Sequence, residues 1–73
     1  MPKLPRISGK EFVKILEKHG YRTDHQTGSH IILRQVLPPF RRATVPNHSE
    51  LSKGTLRALL RQTGIDKDEL SKY

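Results

Sequence analysis

Thr27-Gly28-Ser29-His30-Ile31-Ile32-Leu33-Arg34-Gln35 is the stretch that decides how this chain folds. Thr27-Gly28 is a turn signal, and the apolar, β-branched run after it predicts a strand over Ser29–Gln35. Successive side chains of a strand leave on opposite faces. Ile31 and Leu33 therefore point one way, toward whatever covers them, while His30, Ile32 and Arg34 point the other. His30 opens the strand directly after the turn, so its side chain is rigidly aimed and still near the rim. An imidazole is the side chain that takes or gives a proton near neutrality. On its own the position reads more simply as a polar strand residue with a satisfied hydrogen bond; its reachable place is what makes it a candidate site.

Working outward, Tyr21–Gln26 is a polar first strand, and Arg41–Val45 is a short third strand ended by Pro46. Between the second and third strands, Val36–Phe40 contains Pro38-Pro39 and reads as loop. Upstream, Ser8-Gly9-Lys10-Glu11 has the form of a capping box, with Ile7 and Phe12 as its hydrophobic staple. It predicts a helix from Gly9 to about His19. Phe12, Ile15, Leu16 and His19 form the buried stripe, widened by Val13, and Gly20 is the left-handed C-terminal stop. This places His19 in the packed interior. Lys3–Arg6, with prolines on either side of Lys3-Leu4, is an extended lead-in. Downstream, Ser52 caps a second helix over Lys53–Thr63, with Leu56, Leu59, Leu60 and Thr63 on one face and Gly64 after it. Ile65-Asp66-Lys67-Asp68-Glu69-Leu70 repeats the capping-box and staple pattern and predicts a short third helix.

Strands joined by short links form an antiparallel meander. Two leucine-striped helices need a shared apolar surface, and the sheet face of Ile31 and Leu33 supplies it. The expected fold is α+β: a helix–three-stranded antiparallel sheet–helix sandwich with a short C-terminal helix. In architecture it is similar to the double-stranded-RNA-binding fold. Residues 1–73 read as one domain, with a small core. The uncovered sheet face is expected to carry His30, Arg34, Arg42 and Thr44.

Fourteen Lys and Arg stand against seven Asp and Glu, a net charge of +7. Twelve of the basic and four of the acidic residues fall within residues 1–64, so the charge belongs to the body of the domain. Such a field favours a polyanion, most simply nucleic acid, or an acidic protein; excess lysine also serves solubility alone. The absence of cysteine excludes disulfides and thiolate metal sites. No run approaches the roughly 20 apolar residues that cross a bilayer, and Met1–Arg6 does not resemble a signal peptide. A cytoplasmic protein with no membrane association is expected.

Gly28-Ser29-His30, then Val45-Pro46-Asn47-His48, then Gly54-Thr55-Leu56 and a helix stopped at Gly64 follow one another in an order that resembles the HicA family. Ser8-Gly9-Lys10-Glu11, Leu16 and His19-Gly20-Tyr21 fit the same family's opening, so the resemblance spans roughly residues 6–65. The departures are Gln35–Arg42 and Asp66–Tyr73. The resemblance implies a small toxin of a toxin–antitoxin pair, an endoribonuclease that cleaves mRNA without a metal or other cofactor. It implies that His30 is the catalytic histidine and that a HicB-type antitoxin binds and occludes it.

Cleavage of RNA by its own 2′-hydroxyl needs a base, an acid for the leaving 5′ oxygen, and positive charge near the phosphate. One imidazole performs one proton transfer, so the second partner of His30 stays open. Ser29 either orients the ring, contacts phosphate or simply shapes the turn. His48 either contacts RNA, assists the acid step or organises its loop. His25 reads as an exposed residue of a polar strand. Lys10 and Lys53, each in the first turn of a helix, and Thr55 beside Lys53 are candidate phosphate contacts, because helix N-termini favour anions. The simpler reading of the same lysines is a solvated charge. Gly54 either lets phosphate approach or makes room for a neighbouring element. Gly28 and Arg34 complete the candidate substrate site, with Arg41, Arg42, Arg57 and Arg61 following the RNA backbone as a group. The four histidines lack the spacing of a metal site. A non-catalytic RNA-binding module of the same fold, or a domain that binds DNA or protein, remains the competing reading, because fold alone does not fix function.

Overall fold

The computed structural model describes residues 6–72. The elements are α1 (Gly9–Lys18), β1 (Tyr21–Gln26), β2 (His30–Gln35), β3 (Arg42–Pro46), α2 (Lys53–Thr63) and a C-terminal 3₁₀ turn (Lys67–Lys72). The three strands form one antiparallel sheet in the order β1-β2-β3. The α+β sandwich expected from the sequence is the fold observed. Of the extended lead-in, only Arg6 falls within the described residues.

The capping box forms as its pattern predicts. Glu11 N–H donates to Ser8 Oγ at 3.1 Å, and Ser8 N–H donates to Glu11 Oε1 at 2.9 Å. Ile7 and Phe12 are both buried. Gly20 takes a φ of 88° and turns the chain into β1. Phe12, Ile15 and Leu16 from α1 meet Ile31, Leu33, Ala43 and Val45 from the sheet and Leu56 and Leu59 from α2 in one core. Ile65 and Leu70 close it.

Several boundaries and environments differ from expectation. His19 is not packed: it is the C-cap residue of α1, exposed, with Nε2 3.5 Å from Glu69 Oε2. The stripe ends at Leu16 because the helix stops one residue short of carrying His19 back over the sheet. The short C-terminal helix is of the 3₁₀ type, and Asp66 Oδ1 accepts from Asp68 N–H at 2.9 Å at its start. β3 is shifted by one residue and includes Pro46, which an edge strand tolerates. Ile32 points away from the helices as expected, yet it is only 6% exposed. It lies outside the core cluster, with His25 and Thr44 as cross-strand neighbours, and is shielded by the side chains around it.

β1 also holds an irregularity. Thr23 faces Leu33, but the next paired residue, His25, faces Ile32, so Asp24 is an extra residue in the ladder. Such a β-bulge breaks the two-residue alternation and re-aims the side chains that follow it.

The two helices use glycine for opposite reasons. A Cβ on Gly9 would run into the carbonyl oxygen of Pro46, so α1 docks on the end of β3 backbone against backbone. A Cβ on Gly54 would meet nothing within 4 Å, so Gly54 makes room for no neighbouring element. Gly9→Ala is expected to destabilise the fold by about 1–3 kcal/mol through overpacking. Gly54→Ala is expected to stabilise it, by at most ~1 kcal/mol. Urea unfolding of the two variants reads both signs. The Glu11 carboxyl is held below its ordinary range by its hydrogen bonds with Ser8, first with the backbone N–H and then with the hydroxyl. The capping contribution is therefore present above the unfolded carboxylate pKa and lost as pH falls through the depressed folded value. The Ser8 amide resonance is expected to move only below the usual carboxylate range.

Candidate active site

β1 and β2 are joined by Thr27-Gly28-Ser29, a tight turn closed by three bonds between Thr27 and His30. Thr27 N–H donates to the His30 carbonyl at 2.9 Å. The Thr27 hydroxyl accepts from His30 N–H at 3.1 Å and donates to the His30 carbonyl at 3.3 Å. β2 thus begins at His30, one residue later than expected. Ser29 is fixed from two sides: Asn47 N–H donates to its carbonyl at 2.8 Å, and its Oγ lies 3.0 Å from His30 Nδ1. That contact occupies one ring nitrogen and leaves Nε2 as the one open to a ligand. Both Ser29 and His30 are exposed. Gly28 does not take a positive φ, and a Cβ there would meet open space.

The remaining candidates gather at the same end of the sandwich. His30 pairs with Pro46 across the sheet. The chain beyond Pro46 is strapped to the start of α1: Gly9 N–H donates to the His48 carbonyl at 2.9 Å, and Leu51 N–H to the Ile7 carbonyl at 2.8 Å. This clasp brings the first turn of α1, with exposed Lys10, beside the loop that carries exposed His48. The loop then leads into Ser52 and α2, with exposed Lys53. Thr55 is partly buried and committed to the helix cap: its N–H donates to Ser52 Oγ at 3.2 Å, and its Oγ1 accepts from the Ser52 hydroxyl at 2.9 Å. The clasp residues Gly9 and Asn47 join the site only through the fold, by their backbone contacts with Pro46, His48 and Ser29. A glycine within the first turn of a helix is disfavoured by propensity, and that was the one local sign of Gly9.

Arg34 is not brought to His30. It lies four residues further along β2, on the same face, which places it about 13 Å away at a strand's rise per residue. There it forms a row with Arg22 and Arg42, its direct partners on the two neighbouring strands. A hollow of about 190 Å³ lined by Arg22, Asp24 and Arg34, among others, lies at this end of the sheet. Arg57 and Arg61 lie on α2, in the other layer, so the five arginines do not form a single track. Among the described residues, no three His, Cys, Asp or Glu side chains converge to hold a metal ion. No described helix is long and apolar enough to cross a membrane.

The assembled features are an exposed imidazole on a strand end, two helix N-termini with lysines nearby, and a cationic sheet face. This arrangement suits an extended anionic ligand that lies across an open surface. A family model described as the HicA toxin of bacterial toxin–antitoxin pairs matches residues 9–65. That is most of the chain, and the protein belongs to the HicA toxin family. It is a toxin of a toxin–antitoxin pair, and an antitoxin partner goes with it. Comparison with the curated proteins and with the solved structures gives no match.

Proposed function

We propose that this toxin is a metal-independent endoribonuclease that cleaves mRNA, with residues 1–73 acting as a single domain. The observation that supports it best is His30: exposed, rigidly placed at the head of β2, and bound through Nδ1 to Ser29 within a HicA-family chain. In the neutral ring, Nδ1–H donates to Ser29 Oγ and Nε2 carries the free lone pair. Nε2 takes the proton of a ribose 2′-hydroxyl, and the 2′ oxygen attacks the adjacent phosphorus. Ser29 is thus a positioning residue. Lys10 and Lys53 supply positive charge near the phosphate, where the amides at the start of α2 also point. His48 and Gly28 flank the strand being cut, Arg34 holds it further along the sheet, and Thr55 acts only by shaping the cap of α2. A HicB-type antitoxin silences the enzyme by covering the cationic face and His30.

His30→Ala is expected to lower cleavage of a single-stranded RNA by about 10²- to 10⁴-fold, the usual share of one acid–base group. Circular dichroism and RNA retention on a filter are expected to stay unchanged. Inducing the native chain is expected to arrest growth and degrade mRNA, and inducing the variant to do neither. EDTA is expected to leave the purified enzyme active. Loss of cleavage in EDTA with recovery on adding a divalent ion would count against the mechanism. RNA binding without cleavage by the native chain would favour the non-catalytic module.

A further inference from the structure

The reaction proposed above has a base and no acid, and the bulge in β1 bears on that vacancy. With strict alternation, Arg22 and Asp24 would face outward, and His25 would turn toward the helices behind Ile31. The extra residue changes this. Arg22 still faces outward opposite Arg34, but His25 now stands opposite Ile32, whose side chain leaves on the His30 face. Thr27 is the residue opposite His30, so His25 and His30 are diagonal neighbours across β1 and β2. Diagonal Cβ atoms in such a pair are about 7–8 Å apart or somewhat less, within reach of long side chains. A phosphodiester placed between the two rings would touch both.

The two imidazoles are held in the same manner. His30 Nδ1 lies 3.0 Å from Ser29 Oγ, and His25 Nδ1 lies 2.9 Å from Asp24 Oδ2. A carboxylate accepts only, so His25 Nδ1 is the donor. Each ring therefore keeps Nε2 for the substrate. The side chains of His25 and Asp24 are half exposed, at 50% and 49%. The Asp24 carboxyl is held below its ordinary range, chiefly by the hydrogen bond from His25 and further by the charges of His25, Arg34 and Arg42. The groups that share this face with His25 are Asp24 and Arg22 on its own strand, His30 and Arg34 on β2, and Arg42 with the neutral Thr44 on β3.

Resting on the ribonuclease reading, we propose that His25, turned onto the His30 face by the bulge and oriented by Asp24, is the general acid of the cleavage step. The 2′-hydroxyl proton passes to His30 Nε2 as the bond from the 2′ oxygen to phosphorus forms. The bond from phosphorus to the 5′ oxygen breaks, and that oxygen takes the proton from His25 Nε2. The products are a 2′,3′-cyclic phosphate and a 5′-hydroxyl, and each ring ends in the other's starting state. His25 is a catalytic residue in this scheme and Asp24 a positioning residue.

The test compares ordinary RNA with the same oligonucleotide carrying a bridging 5′ sulfur at the cut, whose thiolate departs without a proton. His25→Ala is expected to lower cleavage of the ordinary substrate by about 10²-fold or more and to cleave the sulfur substrate at close to the native rate. His30→Ala is expected to fail on both. The native pH–rate profile is expected to be bell-shaped; in His25→Ala the fall at high pH disappears. Asp24→Asn is expected to show a weaker form of the same selective loss. Native cleavage of ordinary RNA by His25→Ala, or an equal loss on both substrates, overturns the assignment of His25 while leaving His30 in place. A native chain that cuts neither substrate removes the ribonuclease reading itself, and this inference with it.

Discussion

Because β2 is the middle strand, its pleat assigns a side to most of the side chains that matter. Leu33 is buried against the helices, and that placement forces Ile32 and Arg34 outward on either side of it and His30 outward beyond Ile31. A slip of one residue in the pairing would exchange the two sets, drawing His30 inward and pushing Leu33 into water. The core therefore does two jobs with one strand: burying Ile31 and Leu33 holds the sandwich together and fixes the direction of the imidazole. No separate device is needed to expose His30.

The second support is the clasp between the start of α1 and the loop after β3. Backbone groups make it: Gly9 to His48, Leu51 to Ile7, and Asn47 to Ser29. Because the main chain carries the joint, the side chains of Ser29 and His48 stay exposed, while those of Ile7 and Leu51 are left to the core. Gly9 against the Pro46 carbonyl sets how closely α1 approaches the strand paired with His30. Three loops separated in sequence are thereby tied to one end of the sheet, and Lys10, His48 and Lys53 travel with them.

Local patterns were legible and long-range consequences were not. Ser8 with Glu11 and Ile7 with Phe12 announce α1 through contacts only three to five residues apart, and the structure contains them. The turn before His30 and the alternation after it are equally local. The bulge at Asp24 escaped reading because Tyr21–Gln26 has one buried residue and five exposed ones, leaving no apolar rhythm in which to notice an extra position. Without it, His25 looked like any polar residue of an edge strand. Gly9 escaped because the carbonyl it accommodates lies 37 positions away in sequence. His19 is misplaced by a helical stripe extended one step past the helix's end, and the C-terminal box announces a short helix without separating α from 3₁₀.

Arg22, Arg34 and Arg42 face one another across three strands. Like charges in that arrangement weaken a sheet, and Asp24 offsets them only in part. The folded chain alone thus carries a built-in electrostatic tension. Any anionic molecule that settles on this row relieves it and, by mass action, raises the resistance of the whole domain to unfolding. Counterions do the same more weakly, by screening. The free toxin is accordingly the most fragile form of the protein, and the occupied one the most durable.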